Sequence, residues 1–323
     1  MRIALPAVIA LDTLATCDPA AAITDVAGET MGTRWSVRLV LPARLGADAV
    51  AMAIVGRLDD LVAQMSHWTT TSDLALFNRS AAGSWVVLPT DFAHVMAQGL
   101  AIAAATDGAF DPAIGRLVDA WGFGPVAVAA PPAPDAIEAA RGVSGWRRLT
   151  VADGRLRQPG GLALDLSGIA KGYAVDAVVT LLRGLGVAHA LVEIGGELAG
   201  WGVRPDGQPW WVDLEVPPGT DVAPLRIALH GIAVATSGDY VRGGHTIDPR
   251  TGRPIVNGVV SASVVHATAL AADAWATALT VAGPEAGMAI ANAHGIAARI
   301  VTLIEGRTRE YLTPALTAML ADD

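Results

Sequence analysis

The 323-residue chain contains a single cysteine, Cys17. An intrachain disulfide is excluded, and so is a zinc site built on paired thiolates. Its seven histidines lie far apart, without the close pairing of a zinc-binding helix. Cations are few: 22 Lys and Arg against 31 Asp and Glu leave a net charge of −9. No basic run is interleaved with aromatics, which argues against nucleic acid as a partner. After the N-terminal segment, no uninterrupted apolar stretch is long enough to span a bilayer.

Small apolar residues, alanine above all, are what the chain has in plenty. Apolar residues make up 52% of it, enough at this length for a sizeable core. One large domain or two halves both suit 323 residues. The opening "MRIALPAVIALDTLATC" joins one Arg, an apolar run and a small-residue end, the marks of a weak secretory signal. "LATC" is close to a bacterial lipobox, which would lipidate Cys17 after cleavage and hold the chain at the periplasmic side of the inner membrane. Asp12 within the run and Thr16 before the cysteine depart from that pattern. The other reading is an ordinary N-terminal strand of a cytoplasmic chain; the balance leans slightly to export.

Alternation predicts a strand at Thr33–Leu41, and apolar residues at three- and four-residue steps predict a helix over Ala47–Met65. A second helix is predicted over Asp91–Gly108, stopped by its glycine. "VAVAAPPAPDA" (Val126–Ala136) reads as a surface loop, and Arg147–Leu166 as successive strands around a turn at "ADG". A helix follows from about Gly168 to Leu185. Strands are expected within His189–Gly202, Gln208–Val216, Leu225–Thr236 and Gly258–His266. Two helices, His266–Gly283 and Glu285–Gly295, precede a closing hairpin at Ala298–Leu312. Strands and helices mix without strict alternation, so the expected class is α+β, with mixed, largely antiparallel sheets packed with helices.

Four stretches carry polar groups that a core does not require. "TDGAFDPAIGRLVDAWGFGP" (Thr106–Pro125) reads, alone, as a loop with an Asx turn at Asp111. In "LDLSGIAKGYAVD" (Leu164–Asp176), Asp165 ends a strand, Ser167 is placed to cap the next helix, and Lys171 falls in its first turn. A lysine there opposes the helix dipole unless an anion sits at that end; a solvated lysine explains it equally well. "ATSGDYVRGGHTIDPRTGRPI" (Ala235–Ile255) gathers Thr236, Ser237, Asp239, His245, Asp248 and Arg250 among glycines, the density of a site wall. On the helix "HATALAADAWATALTVAG", Asp273 and Thr277 are i and i+4 and share a face. A carboxylate, a hydroxyl and a nearby carbonyl form a hard-oxygen set suited to Mg²⁺; the other reading is an Asp exposed at the helix N-terminus with a core-packed Thr.

Taken in order, "ETMGT", "MSHWTTTSDLALFN", "GAFDP…WGFG", "LDLSGIAKGYAVD", "EIGGELAGWG", "TSGDY…HTIDPRTG" and "ADAWATAL" resemble the ApbE family, the FAD:protein FMN transferases. The resemblance spans about residues 24–318 and sets residues 1–17 apart as a candidate signal segment. It implies an enzyme that binds FAD and Mg²⁺ and moves FMN to a Ser or Thr hydroxyl of a target flavoprotein, with AMP leaving. Typical targets are flavin-accepting subunits of membrane redox complexes. Some members instead hydrolyse FAD to FMN and AMP, and a non-catalytic FAD-binding lipoprotein is a further reading. The resemblance implies FAD contacts at Met31, Trp68 (where relatives often have Tyr), Ala109, Phe110, Asp111, Asp165, Lys171 and Ile247. It implies a metal shell of Gly168 and Ala276, both through carbonyls, with Asp273 and Thr277, and a general base at His245.

Overall fold

Short apolar strands build the centre of the protein, seen here in a computed structural model that describes residues 1–9, 11–238 and 244–321. The chain opens with β1 (Arg2–Ala4), α1 (Leu11–Ala15), β2 (Ile23–Thr30) and β3 (Thr33–Val40). Then come α2 (Ala47–Met65), α3 (Asp73–Arg79), β4 (Trp85–Val87), α4 (Thr90–Ala105), α5 (Gly115–Ala120) and α6 (Pro134–Val143). After β5 (Thr150–Ala152) and β6 (Arg155–Arg157), α7 (Ala170–Gly184) leads into β7 (Ala190–Ile194) and β8 (Glu197–Trp201). β9 (Trp210–Asp213), β10 (Leu225–Leu229), β11 (Ile232–Ser237), β12 (Ile247–Asp248), β13 (Arg253–Pro254) and β14 (Val259–His266) follow. The chain closes with α8 (Ala269–Ala293), β15 (Ala297–Ile304), β16 (Arg307–Leu312) and α9 (Pro314–Thr317).

Eight strands form one sheet in the order β16-β15-β14-β11-β8-β7-β3-β2, antiparallel throughout. On β11, Ala233 and Ala235 face one core while Val234 faces a second. On β14, Ala262 and Val264 face the first and Val265 the second. Both faces are therefore covered, which is why these strands read as nearly continuous apolar runs. Helices α7 and α8 lie on the first face, α8 across β8, β11, β14 and β15. On the second face sit α9 and a three-stranded sheet, β1-β10-β9, in which β1 runs parallel to β10. The mixed α+β class read from the sequence is the class observed.

The N-terminal residues are part of that second layer. Ala4 is fully buried, Arg2 pairs with Glu310 at 2.5 Å, and Ala321 donates its N–H to the Ile3 carbonyl at 2.9 Å. Cys17 Sγ donates to the Arg204 carbonyl at 3.4 Å.

Several local expectations differ from the fold. The helix expected from Gly168 begins at Ala170, after Ile169, with no side-chain cap. Ser167 does not cap it; its N–H is taken by Asp165 Oδ1 at 2.8 Å in an Asx turn. The proline-rich loop ends sooner than expected, because Pro134 takes a first-turn position of α6, where its missing N–H costs nothing. The two helices around Gly283 run on as α8 with a break there, φ 81° and ψ 174°.

Candidate active site

Two tight turns and two helix starts meet at one end of the large sheet. The β7–β8 turn carries Gly195 and Gly196 at φ 64° and 102°, values that favour glycine. A Cβ on Gly195 would stand 2.9 Å from Thr33 Cγ2 and 3.4 Å from Lys171 Cδ. The missing side chain thus lets Thr33, at the start of β3, and the stem of Lys171 both close on this turn; Met31, in the β2–β3 turn, sits at φ 50°. Lys171 Nζ pairs with Glu197 Oε1 at 2.5 Å, and the Glu197 side chain is 2% exposed.

Helices α7 and α8 touch closely through glycine. A Cβ on Gly172 would stand 2.2 Å from the Ala269 carbonyl oxygen and 2.8 Å from Asp273 Cβ. That approach lets Gly172 donate its N–H to Asp273 Oδ2 at 3.0 Å. Asp176, one turn along α7, accepts the Ala269 and Leu270 N–H groups, both at 2.8 Å, and Thr268 Oγ1 accepts that of Ala271. The N-terminus of α8 is thereby capped from two elements, offsetting donors that a helix start otherwise leaves open. At the far end of its first segment, Asn257 Nδ2 donates to the carbonyls of Thr280 at 2.9 Å and Val281 at 3.3 Å.

Asp273 is buried, and burial raises its carboxyl above the usual carboxylate range, against the opposing pull of Lys171 and the Gly172 hydrogen bond. Thr277, one turn further, lies beside Gly168: a Cβ there would stand 2.9 Å from Thr277 Oγ1. Among the described residues no three His, Cys, Asp or Glu side chains cluster to hold a metal. A divalent cation here would therefore rest on one carboxylate and neutral oxygens, the hard set that Mg²⁺ accepts. The Ala276 carbonyl fits that set less well, since it accepts the Thr280 hydroxyl at 2.9 Å within the helix.

Ala109, Phe110, Asp111, Asp165, Gly168, Ile247 and Thr277 line one cavity of about 40 Å³. Seven residues singled out in four separate stretches of sequence thus share one wall. A larger groove of about 650 Å³, between Gly219–Asp221 and Gly306–Arg309, is lined by none of these residues. Asp111 is held from both sides: Oδ1 accepts the Ala113 N–H at 2.8 Å and Oδ2 that of Trp146 at 3.0 Å. Burial nevertheless pushes its carboxyl up to about 6.

Trp68, 62% exposed, stands with its ring centroid 5.3 Å from that of His67, and His67 Nδ1 lies 3.7 Å from Asp165 Oδ2. The indole is therefore an exposed platform joined, through His67, to the Asp165 wall. His245 is half-buried, just ahead of β12; Asp239 lies outside the described residues. Asp248 is bound by Arg250 through both oxygens, at 2.8 and 2.9 Å, which makes it a poor substitute base.

Sequence reasoning missed Glu197, His67 and Asp176. Glu197 had one signal, a lone carboxylate in the apolar strand "ELAGW" right after a Gly-Gly turn. His67 had none beyond its neighbour Trp68.

An α+β scaffold that sets a half-buried lysine against a buried carboxylate, and places a second buried carboxylate and a hydroxyl one turn apart on a neighbouring helix, has the makings of a phosphate-handling enzyme. The chain belongs to the ApbE family, whose sequence model matches residues 31–300. It is 34% identical to a Vibrio cholerae protein named FAD:protein FMN transferase, over 99% of this chain and 100% of that one. A Salmonella typhimurium protein of the same name is 34% identical over 95% of this chain and 92% of its own length. The solved apo structure of the Pseudomonas stutzeri flavinyl transferase ApbE superposes with a TM-score of 0.88 at 36% identity, covering 94% of this chain and 98% of that one.

Proposed function

We infer that this chain is an FAD:protein FMN transferase: it takes FMN from FAD and joins it to a protein acceptor. The observation that carries the reading is the joining of Lys171, Asp273, Thr277 and Gly168 at two helix starts next to the cavity wall. In the reaction we propose, a Ser or Thr hydroxyl of the acceptor attacks the FMN phosphorus. The bond to the AMP phosphate breaks, AMP leaves, and the hydroxyl proton passes to His245.

Lys171, in the first turn of α7, supplies positive charge where the pyrophosphate is bound, at the positive end of the helix dipole. Trp68 and Met31 offer apolar surface for the flavin or adenine ring. Asp273, Thr277 and Gly168 would hold Mg²⁺, which when bound neutralises charge on phosphoryl oxygens. The residues fit it: one buried carboxylate, one hydroxyl and a glycine close enough for its backbone to share the site.

The proposed acceptor is a flavin-accepting subunit of a membrane redox complex. The proposed place is the periplasmic side of the inner membrane, through a lipidated Cys17; a retained β1 goes instead with a cytoplasmic chain. The test is incubation of the pure protein with FAD, Mg²⁺ and a candidate acceptor, read by mass spectrometry. A gain of one FMN on the acceptor is expected. Free FMN and AMP with an unmodified acceptor would make it an FAD pyrophosphatase, and unchanged FAD a flavin-binding protein.

A further inference from the structure

Glu197 opens β8 with its carboxylate almost wholly buried. One oxygen meets Lys171 Nζ at 2.5 Å; the other, Oε2, has no hydrogen-bond partner among the described residues. A buried carboxylate with an unfilled oxygen is costly, and an apolar side chain would close the start of this strand better. A second carboxylate, Asp273, is near enough to raise the Glu197 carboxyl further beyond what burial does, while Lys171 opposes both. Lys171 is thus tied at its head to a buried carboxylate, with its stem along Gly195. A lysine needed merely for solubility requires none of this.

Resting on the transferase reading above, we propose that Glu197 is a positioning residue for FMN transfer: it fixes where the Lys171 ammonium meets the pyrophosphate of FAD. It touches neither flavin nor acceptor and acts through Lys171. Gly195 and the β7–β8 turn serve the same end, because the turn sets the Glu197 backbone against α7 and leaves room for the lysine stem.

A double-mutant cycle tests this, with Glu197→Gln, Lys171→Met and the two combined, each checked by thermal melting. Gln keeps the volume and removes the charge. Each single change is expected to slow transfer about 10–100-fold, the usual cost of losing a supporting partner of this kind. The combined variant is expected to be no slower than Lys171→Met alone, because a residue that acts through another has nothing left to act on. Losses that multiply, or full activity of Glu197→Gln, would overturn the proposal. Should Glu197→Gln not fold, Glu197→Asp takes its place in the cycle with the same two outcomes. The cycle is also read in FAD affinity by flavin fluorescence. Wild-type protein that binds FAD without modifying the acceptor would refute the transferase reading, while the coupling of Glu197 to Lys171 would still be decided by affinity.

Discussion

Asp273 Oδ2 accepts the Gly172 N–H at 3.0 Å, so the carboxylate proposed for the metal also fixes how α7 starts against α8. The two duties separate under substitution. Asp273→Asn keeps an acceptor for Gly172 and is expected to melt like wild type while FMN transfer falls about 10²–10³-fold and FAD binding weakens less. Asp273→Ala should lose transfer and also about 1–3 kcal/mol of stability, since the buried Gly172 N–H loses its partner. Full transfer by Asp273→Asn at ordinary Mg²⁺ would remove Asp273 from the metal set.

Two glycines should differ in kind. Gly172→Ala meets backbone at 2.2 Å, which cannot yield, so its cost is expected at or beyond the top of the usual overpacking range (about 1–3 kcal/mol). Gly168→Ala meets the Thr277 hydroxyl at 2.9 Å and should cost more in transfer than in melting temperature. Gly46→Ala, with nothing within 4 Å, serves as the control. Melting curves and transfer rates on the three variants check the ranking.

For His245→Asn, FAD and Mg²⁺ binding are expected to persist while transfer slows by about 10²–10⁴-fold, the usual contribution of a general base. Unchanged turnover across neutral pH would move the base elsewhere. Asp248 is then no easy replacement, because Arg250 already holds both its oxygens.

Asp91 ties three helices together. It takes a two-pronged bond from Arg57 at 2.7 and 2.6 Å, one from Gln64 at 3.2 Å, and one from the Tyr173 hydroxyl. The Arg57 bonds hold its carboxyl well below the usual range, and burial with the Asp91 bond pushes Tyr173 up to about 12. A depressed folded-state pKa stabilises above the unfolded value, 3.8, and that stability is lost as pH falls below it. Asp91→Asn should therefore lower stability at pH 7 by about 2 kcal/mol, already reduced for partial exposure. The gap to wild type should stay constant down to about pH 4 and narrow below it. A gap that narrows near neutral pH would contradict this assignment.

Removing residues 1–17 deletes β1, the Arg2–Glu310 pair and the buried Ala4. The melting temperature is expected to fall, by about 2–4 °C for each kcal/mol lost, with transfer preserved. An unchanged melting curve would show that β1 adds nothing. Fractionation of wild type against Cys17→Ala addresses the anchor: two soluble proteins would end the lipid-anchor proposal.

What the sequence could disclose depended on how locally each feature is built. Asp273 and Thr277 were legible because an i, i+4 pair is decided within one helix turn, and the break at Gly283 because glycine followed by proline punctuates any helix. The apolar strands announced the large sheet, but β2, "ITDVAGET", carries too few apolar residues to be read alone and is a strand because β3 pairs along it. Short helices such as α3 and α5 fell below the length at which periodicity speaks. Glu197 was hidden for another reason: it is 26 positions from Lys171, and only the docking of β8 beside α7 brings them together. The Ser167 cap failed because the chain turns once more before the helix: Asp165 accepts the Ser167 N–H in an Asx turn, and the Leu166 carbonyl takes the Ile169 and Ala170 N–H groups that a cap would meet.

The first segment of α8 is fastened at both ends, by Asp176 and Thr268 at its start and by Asn257 where it breaks. A rod pinned at two points can neither slide nor rotate without breaking bonds at both. It therefore works as a ruler: the interval between Asp273 and Thr277 is carried by the rod, and its alignment with Gly168 and Lys171 by the pins. The loops around it can then change in length and composition while the ruler keeps its marks.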